Sequence, residues 1–371
     1  MWACVPHGAE RVGTDPTAAA PSAWPRTPSA RTPATLINVS GRFAPRPTRT
    51  SVRGGDARIP PARTAPALTP SQTRRYAPPT PLDVGLTLGP LRRGPGDPTF
   101  QTTDGSVWRT CRTPEGPGTL RTTAFAAEGE VRAEAWGPGA EWLLDRLPAL
   151  LGAEDDPDVF TPRHRLLAAA HRRCPGLRLA RTGLVLESLI PTILEQKVTT
   201  DEAYRAWRLL VRRYGEPAPG PNPRLHVMPE PRTWATIPSW EWHRAGVDNK
   251  RASTILRVVR VARRMEEAAA MAPEQAQERL ELIPGIGPWS SAETVQRSHG
   301  APDAVSVGDY HLPSIVGYAL AGDRDADDAA MLELLEPYAG QRHRAARLIL
   351  LSGRTPPRRA PRMTPGNIGA L

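Results

Sequence analysis

Cysteine is scarce: the chain of 371 residues has only Cys4, Cys111 and Cys174, far apart in sequence. They supply neither a disulfide framework nor a metal-ligand spacing. No apolar run approaches the roughly 18–20 residues that span a bilayer, and the N-terminus has no apolar stretch of the secretory kind. A cytoplasmic protein with no membrane partner is the expectation. Lysine is nearly missing too. Only Lys197 and Lys250 occur among 48 basic residues, a bias that a GC-rich genome explains without any Arg-specific function. The net charge of +10 is unevenly placed, since residues 1–80 hold eleven Arg against Glu10, Asp15 and Asp56, or +8, leaving about +2 for the rest. If the folded part binds nucleic acid, a local patch and backbone amides must do it.

What is present divides the chain. Residues 1–80 are rich in Pro, Arg, Thr, Ala and Ser, a composition that buries too little surface to offset chain entropy. This segment reads as disordered: a transit peptide, a basic arm on DNA, or residues upstream of the true start. From 81 to 155 short alternating runs, VWRTCRT, GTLRTTAF and EVRAEAW, lie between Gly and Pro turns and predict a small antiparallel sheet. AEWLLDRLPALLG follows as a helix, so this is a small α/β domain. Residues 156–355 read as helical and 356–371 as a tail. Thr199 and Glu202 have capping-box spacing, with Ala203, Trp207, Leu210, Val211 and Tyr214 on one face before Gly215. RASTILRVVRVARRM, APEQAQERLELI, DADDAAMLELLEPYAG and RHRAARLILLSG are further helices.

The informative stretch is LIPGIGPWSSAETVQRSHGAPDAVSVGDYHL, from Leu282 to Leu312. Gly285 and Gly287 suit positive φ or a close approach. Pro284 ends one helix, and Pro288 suits the first turn of the next, where its missing N–H is unpaired anyway. A tight hairpin between helices then presents bare backbone and a helix N-terminus, a place for a phosphate oxygen. A bare Pro-Gly-x-Gly is more often an ordinary turn. One isolated carboxylate, Asp309, follows about one helix and one Gly/Pro-containing loop later. A lone Asp before a helix is often a plain N-cap, and Asp309 can cap a helix starting near Tyr310. Asp303, the competing acid, sits in an APD turn and reads as solvated.

This constellation resembles the helix-hairpin-helix–Gly/Pro–Asp superfamily of DNA base-excision glycosylases. The upstream segments GLRLARTGLVLESLIPTILEQKVTTDEAYRAWRLLVRRYG and AGVDNKRASTILRVVRVA are similar to the AlkA-type 3-methyladenine glycosylases. The resemblance covers roughly 82–355. It implies a mostly α fold, a packed helical helix-hairpin-helix glycosylase core preceded by a small antiparallel α/β domain. It further implies a hairpin, Pro284, Gly285, Ile286 and Gly287, that grips DNA backbone, often with a monovalent cation on its carbonyls, and no metal held by side chains. Asp309 becomes the catalytic carboxylate, which stabilises an oxocarbenium-like sugar and orients water.

The implied partner is double-stranded DNA with a damaged base, bound by a monomer in the nucleoid. Alkylated purines are cationic, so an aromatic pocket recognises them by stacking and cation–π contact, about 0.5–2 kcal/mol each. The candidates are Trp289, Tyr310, Trp240 and Trp242, while Trp207 reads as core. Lyases of the superfamily, similar to endonuclease III, carry a Schiff-base Lys where this chain has Trp289, so the resemblance implies a monofunctional enzyme using water. No Cys follows Cys174, so no iron–sulfur cluster and no other cofactor is expected. The chain departs from the family's pattern in the wedge loop LEQKVTT, where Gln196 and Lys197 stand in place of an apolar wedge, with the Lys stem able to fill space. It departs again at Glu293, where a pocket aromatic can occur, and in RLILLSG, which lacks one. Two alternatives follow: a non-catalytic helix-hairpin-helix DNA-binding protein, and a glycosylase for oxidised bases.

Overall fold

Alternating side chains over residues 100–136 build an antiparallel sheet, as their pattern predicts. In the computed structural model, which describes residues 72–357 with Pro365, Gly366 and Gly369, the sheet has five strands: β1 (Gln72–Tyr76), β2 (Phe100–Thr103), β3 (Ser106–Thr113), β4 (Gly116–Phe125) and β5 (Glu130–Trp136). Strands β2 to β5 form a meander, and β1 pairs with the outer edge of β5. Asp104 (φ 48°) and Gly105 (φ 68°) make the two-residue turn from β2 to β3, since a hairpin turn of matching twist needs φ > 0 at both positions. The folded part therefore begins before residue 81: β1 lies inside the segment read as disordered, while residues 1–71 are outside the described residues.

Two helices, α1 (Val84–Leu88) before the sheet and α2 (Ala140–Asp145) after it, cover one face together with α3 (Leu147–Leu150). The one helix expected over AEWLLDRLPALLG is two, because Pro148 at the start of α3 cannot donate into a continuing helix. On the opposite face Trp108 and Trp136 stack with centroids 5.4 Å apart over Ala218, Leu225 and Val227.

The helical region is two packed groups rather than one. After α4 (Arg165–Arg173) the chain forms α5 (Val185–Leu194), α6 (Thr200–Tyr214), α7 (Pro231–Ala235), α8 (Ser239–Arg244), α9 (Asn249–Arg260), α10 (Ala262–Glu266), α11 (Pro273–Glu281) and α12 (Pro288–Ser298). These share one core around α5 and α12, whose residues Val185–Leu194 and Ser290–Ser298 are buried almost without a break. The capping box of Thr199 and Glu202 opens α6, and Gly215 closes it. The last helices, α13 (Leu312–Ala321), α14 (Asp328–Leu335) and α15 (Arg342–Ser352), share a second core with α4. The crossing from the first group to the second is residues 299–311, and it carries Asp309.

Candidate active site

The hairpin between α11 and α12 splits its residues by task. Ile286 is the anchor, buried in the first helical core. Gly285 has φ +102°, and a Cβ there would run into Thr254, so both backbone and space require glycine. Gly287 needs it for neither reason: its backbone is extended, and a Cβ would meet nothing within 4 Å. The room around Gly287 is open to an approaching group. Among the described residues, neither the Gly285 nor the Gly287 N–H donates to a protein acceptor. Both amides stand at the N-terminus of α12, where Pro288 occupies the first position as expected, and helix N-termini favour anions.

The α5–α6 loop is tied to this hairpin. Gln196 Nε2 donates to Gly285 O at 2.9 Å and to Ser290 Oγ at 2.8 Å. Its amide nitrogen thus works inside the protein. Lys197 beside it is exposed and has φ 55°, a left-handed conformation that costs a non-glycine residue about 1–2 kcal/mol. Strain of this kind concentrates at functional loops. Arg257 adds a hydrogen bond to Pro284 O at 3.1 Å.

Asp309 is half-buried and held by three donors. Its Oδ1 accepts from the His311 and Leu312 amides, both at 2.8 Å, at the start of α13. Its Oδ2 accepts from Trp289 Nε1 at 3.0 Å. Asp309 is not the N-cap read from the sequence: the helix begins at Leu312 rather than near Tyr310, His311 stands at its N-cap, and Asp309 holds the entering chain from two residues further out. Hairpin and carboxylate are therefore joined through adjacent residues, Ser290 to Gln196 and Trp289 to Asp309. Burial pushes the His311 imidazole below its ordinary range, opposed by the neighbouring Asp309 charge.

The aromatic candidates separate. Trp289 touches Asp309. Tyr310 is adjacent but 90 % exposed, its ring edge-on to His311. Trp242 is 3 % exposed and stacked on Trp234 in the helical core, so its place in a base pocket is corrected to a packing role. Trp240 is 65 % exposed on α8, and among the described residues no hydrogen bond or ring contact joins it to Asp309. Trp207 is core, as expected, with Nε1 donating to Asp97 Oδ1 at 3.0 Å. Asp303 is paired rather than solvated: it accepts from the Arg342 amide at 2.9 Å and meets its guanidinium at 3.1 Å. Glu293 is buried, bonded to Ser306 and Arg297. Ser290, Thr254, Ser306 and His311 also belong to the site and carry no sequence signal. Small polar residues give no periodic signal, and only their contacts mark them.

Solved structures share this architecture. A 3-methyladenine DNA-glycosylase from Archaeoglobus fulgidus superposes with a TM-score of 0.62 at 17 % identity, over 76 % of this chain and 98 % of that one. The fold is that of the helix-hairpin-helix–GPD glycosylases. An 8-oxoguanine glycosylase/lyase from Clostridium acetobutylicum has the same helix-hairpin-helix glycosylase fold, with a TM-score of 0.60 at 11 % identity over 77 % and 99 % of the two chains. In sequence, the chain is 28 % identical over 218 residues to a probable bifunctional transcriptional activator/DNA repair enzyme AlkA of Mycobacterium tuberculosis. That match takes in 56 % of this chain and 43 % of the relative, so the chain spans less than half the relative's length. No family model matches the chain. No helix among the described residues is long and apolar enough to cross a membrane.

Proposed function

We propose that this protein is a monofunctional DNA glycosylase that hydrolyses the N-glycosidic bond of alkylated purines in duplex DNA. The observation that carries the proposal is the Asp309 carboxylate, fixed by two amides and the Trp289 indole one helix away from an open glycine hairpin. The hairpin amides take a DNA phosphate, and the damaged nucleotide turns out of the stack toward Asp309. Lys197, at the tip of the α5–α6 loop, enters the gap left behind, its stem filling space and its ammonium reaching the backbone. Cleavage leaves an oxocarbenium-like sugar, which the Asp309 charge stabilises while water attacks. Trp289 offers a ring for a cationic base. It stands where lyases of the superfamily carry their Lys, and an indole cannot form a Schiff base.

The test is release of 3-methyladenine and 7-methylguanine from methylated duplex by wild type and Asp309→Asn side by side, with borohydride trapping for a covalent intermediate. Wild type should release base without trapping, and Asp309→Asn should lose at least about 10²-fold in rate while still binding duplex. Duplex binding without release by wild type would replace the enzyme with a DNA-binding module. A trapped adduct would refute the monofunctional mechanism.

A further inference from the structure

The segment that delivers Asp309 is gripped by one face of α12. Trp289, Glu293 and Gln296 follow at i, i+4 and i+7 and so point the same way. Gln296 Nε2 donates to Ala304 O and to Ser306 Oγ, both at 2.9 Å. Ser306 Oγ donates in turn to Glu293 Oε1, and Glu293 Oε2 accepts from Arg297 at 2.9 Å. All four side chains are buried. The Ser306 carbonyl then accepts from the Asp309 amide at 3.2 Å, closing a short turn through Gly308 (φ +86°). Ser306 is thus held by its hydroxyl and itself holds the backbone of Asp309.

Glu293 is buried, and both of its oxygens hold partners inside the protein, Ser306 on one and Arg297 on the other. Apolar packing could bury the same area, but it would not fix the register of a loop with glycine at its tip. A network in which every buried group is satisfied does fix it. We propose that Ser306, clasped by Glu293 and Gln296, is a positioning residue that sets where the Asp309 carboxylate lies and thereby the rate of base release. This rests on the glycosylase proposal above. The clasp touches no DNA, so it acts on the chemical step and not on duplex affinity. A displacement on the order of 1 Å at a reacting group costs about a hundredfold in rate.

The experiment compares wild type, Ser306→Ala and Gln296→Met, which removes the amide donor at similar volume. Three quantities are measured: single-turnover base release at saturating enzyme, duplex affinity, and the ¹⁵N–¹H resonance of the Trp289 indole, assigned with Trp289→Phe and referenced to Asp309→Ala. Both variants should slow release by at least about tenfold, leave duplex affinity within about twofold, and move the indole resonance toward its position in Asp309→Ala. Wild-type release with an unmoved resonance overturns the clasp, as does a rate loss matched by an equal loss of affinity. If wild type itself releases nothing, the glycosylase proposal fails alone. The indole resonance then decides the clasp: movement in either variant supports it, and no movement in both overturns it. Gln296→Met keeps the test open if Ser306→Ala does not fold.

Discussion

Alanine at Gly285 and at Gly287 should have opposite consequences, because the two glycines exist for different reasons. At Gly285, φ of +102° charges any L-residue about 1–2 kcal/mol. The added methyl would also overlap Thr254 Oγ1 and come to 3.0 Å from its Cγ2 and 3.2 Å from its Cβ. Thr254 cannot simply swing aside, since its hydroxyl donates to Lys250 O at 2.9 Å within α9. Forced overpacking of this sort costs about 1–3 kcal/mol. The sum, about 2–5 kcal/mol, corresponds to a fall in Tm of roughly 3–8 °C, from an unfolding entropy of about 2.1 cal/mol/K per residue over the folded part. Adding Thr254→Ala removes Oγ1 and Cγ2 and should return the steric part, leaving the backbone part.

Gly287→Ala should not lower Tm, since the backbone is extended and the methyl meets nothing. At compatible sites this exchange stabilises by about 0.4–1 kcal/mol through the unfolded chain. Its effect should appear on DNA. A methyl on the open side of the hairpin holds a phosphate away from the amides, and losing a charge-assisted hydrogen bond costs about 1.5–3 kcal/mol, or about ten- to a hundredfold in Kd. Thermal melts and fluorescence anisotropy on a short duplex measure both. Gly287→Ala binding duplex as tightly as wild type would refute the hairpin as the phosphate anchor, and an unchanged Tm for Gly285→Ala would refute the packing argument.

Two further outcomes follow from single positions. Lys197→Gly should raise stability by about 0.5–1 kcal/mol, because relief at φ 55° exceeds glycine's entropic cost, while weakening duplex binding; a Tm below wild type would contradict it. Stability should also fall in acid through His343, which burial and the nearby Arg347, Arg297 and Arg344 hold well below its ordinary value of 6.5. The folded value lies below the unfolded one, so the unfolded chain takes the proton first. Stability is kept above about pH 6.5 and lost below it, by up to about 1.4 kcal/mol per pH unit for this one group. Urea unfolding at pH 7.5, 6.5 and 5.5 should show that slope, shallower in His343→Leu, and an equal slope in the variant would rule the histidine out.

What the sequence made legible was local. The capping box of Thr199 and Glu202 lies within four residues, and β3 to β5 alternate over a meander of short turns, so both could be read directly. β1 could not. Its QTRRY is a polar edge strand whose partner, β5, begins at Glu130. The start of α5 was equally hidden, because its amides are capped by Glu266 on α10, at 2.9 and 2.8 Å to Val185 and Leu186. At Trp240 and Trp242 the helical spacing alone separates the two rings. Positions i and i+2 on a helix face different ways, so the two rings could not share one pocket. Glu293 stood out as a departure from the family, and only the contacts to Ser306 and Arg297 supply its reason.

The Asp309 carboxylate bears on how the base would leave. Such a group has about four lone-pair sites, and here three are taken by the His311 amide, the Leu312 amide and the Trp289 indole. One site remains for a water. A carboxylate so fully engaged is fixed in place and needs no reorganisation as positive charge develops, which suits electrostatic stabilisation of the sugar more than proton abstraction. Trp289→Phe tests this, because it keeps an aromatic face for a cationic base and removes only the donor to Oδ2. If orientation of Asp309 matters, single-turnover release should slow by up to about ten- to a hundredfold, the worth of a hydrogen bond to a charged group, about 1.5–3 kcal/mol, with duplex affinity unchanged. If Trp289 serves stacking alone, Phe should work nearly as well as Trp. A faster variant would sink the electrostatic account, since freeing Oδ2 could accelerate the reaction only by making Asp309 a better base.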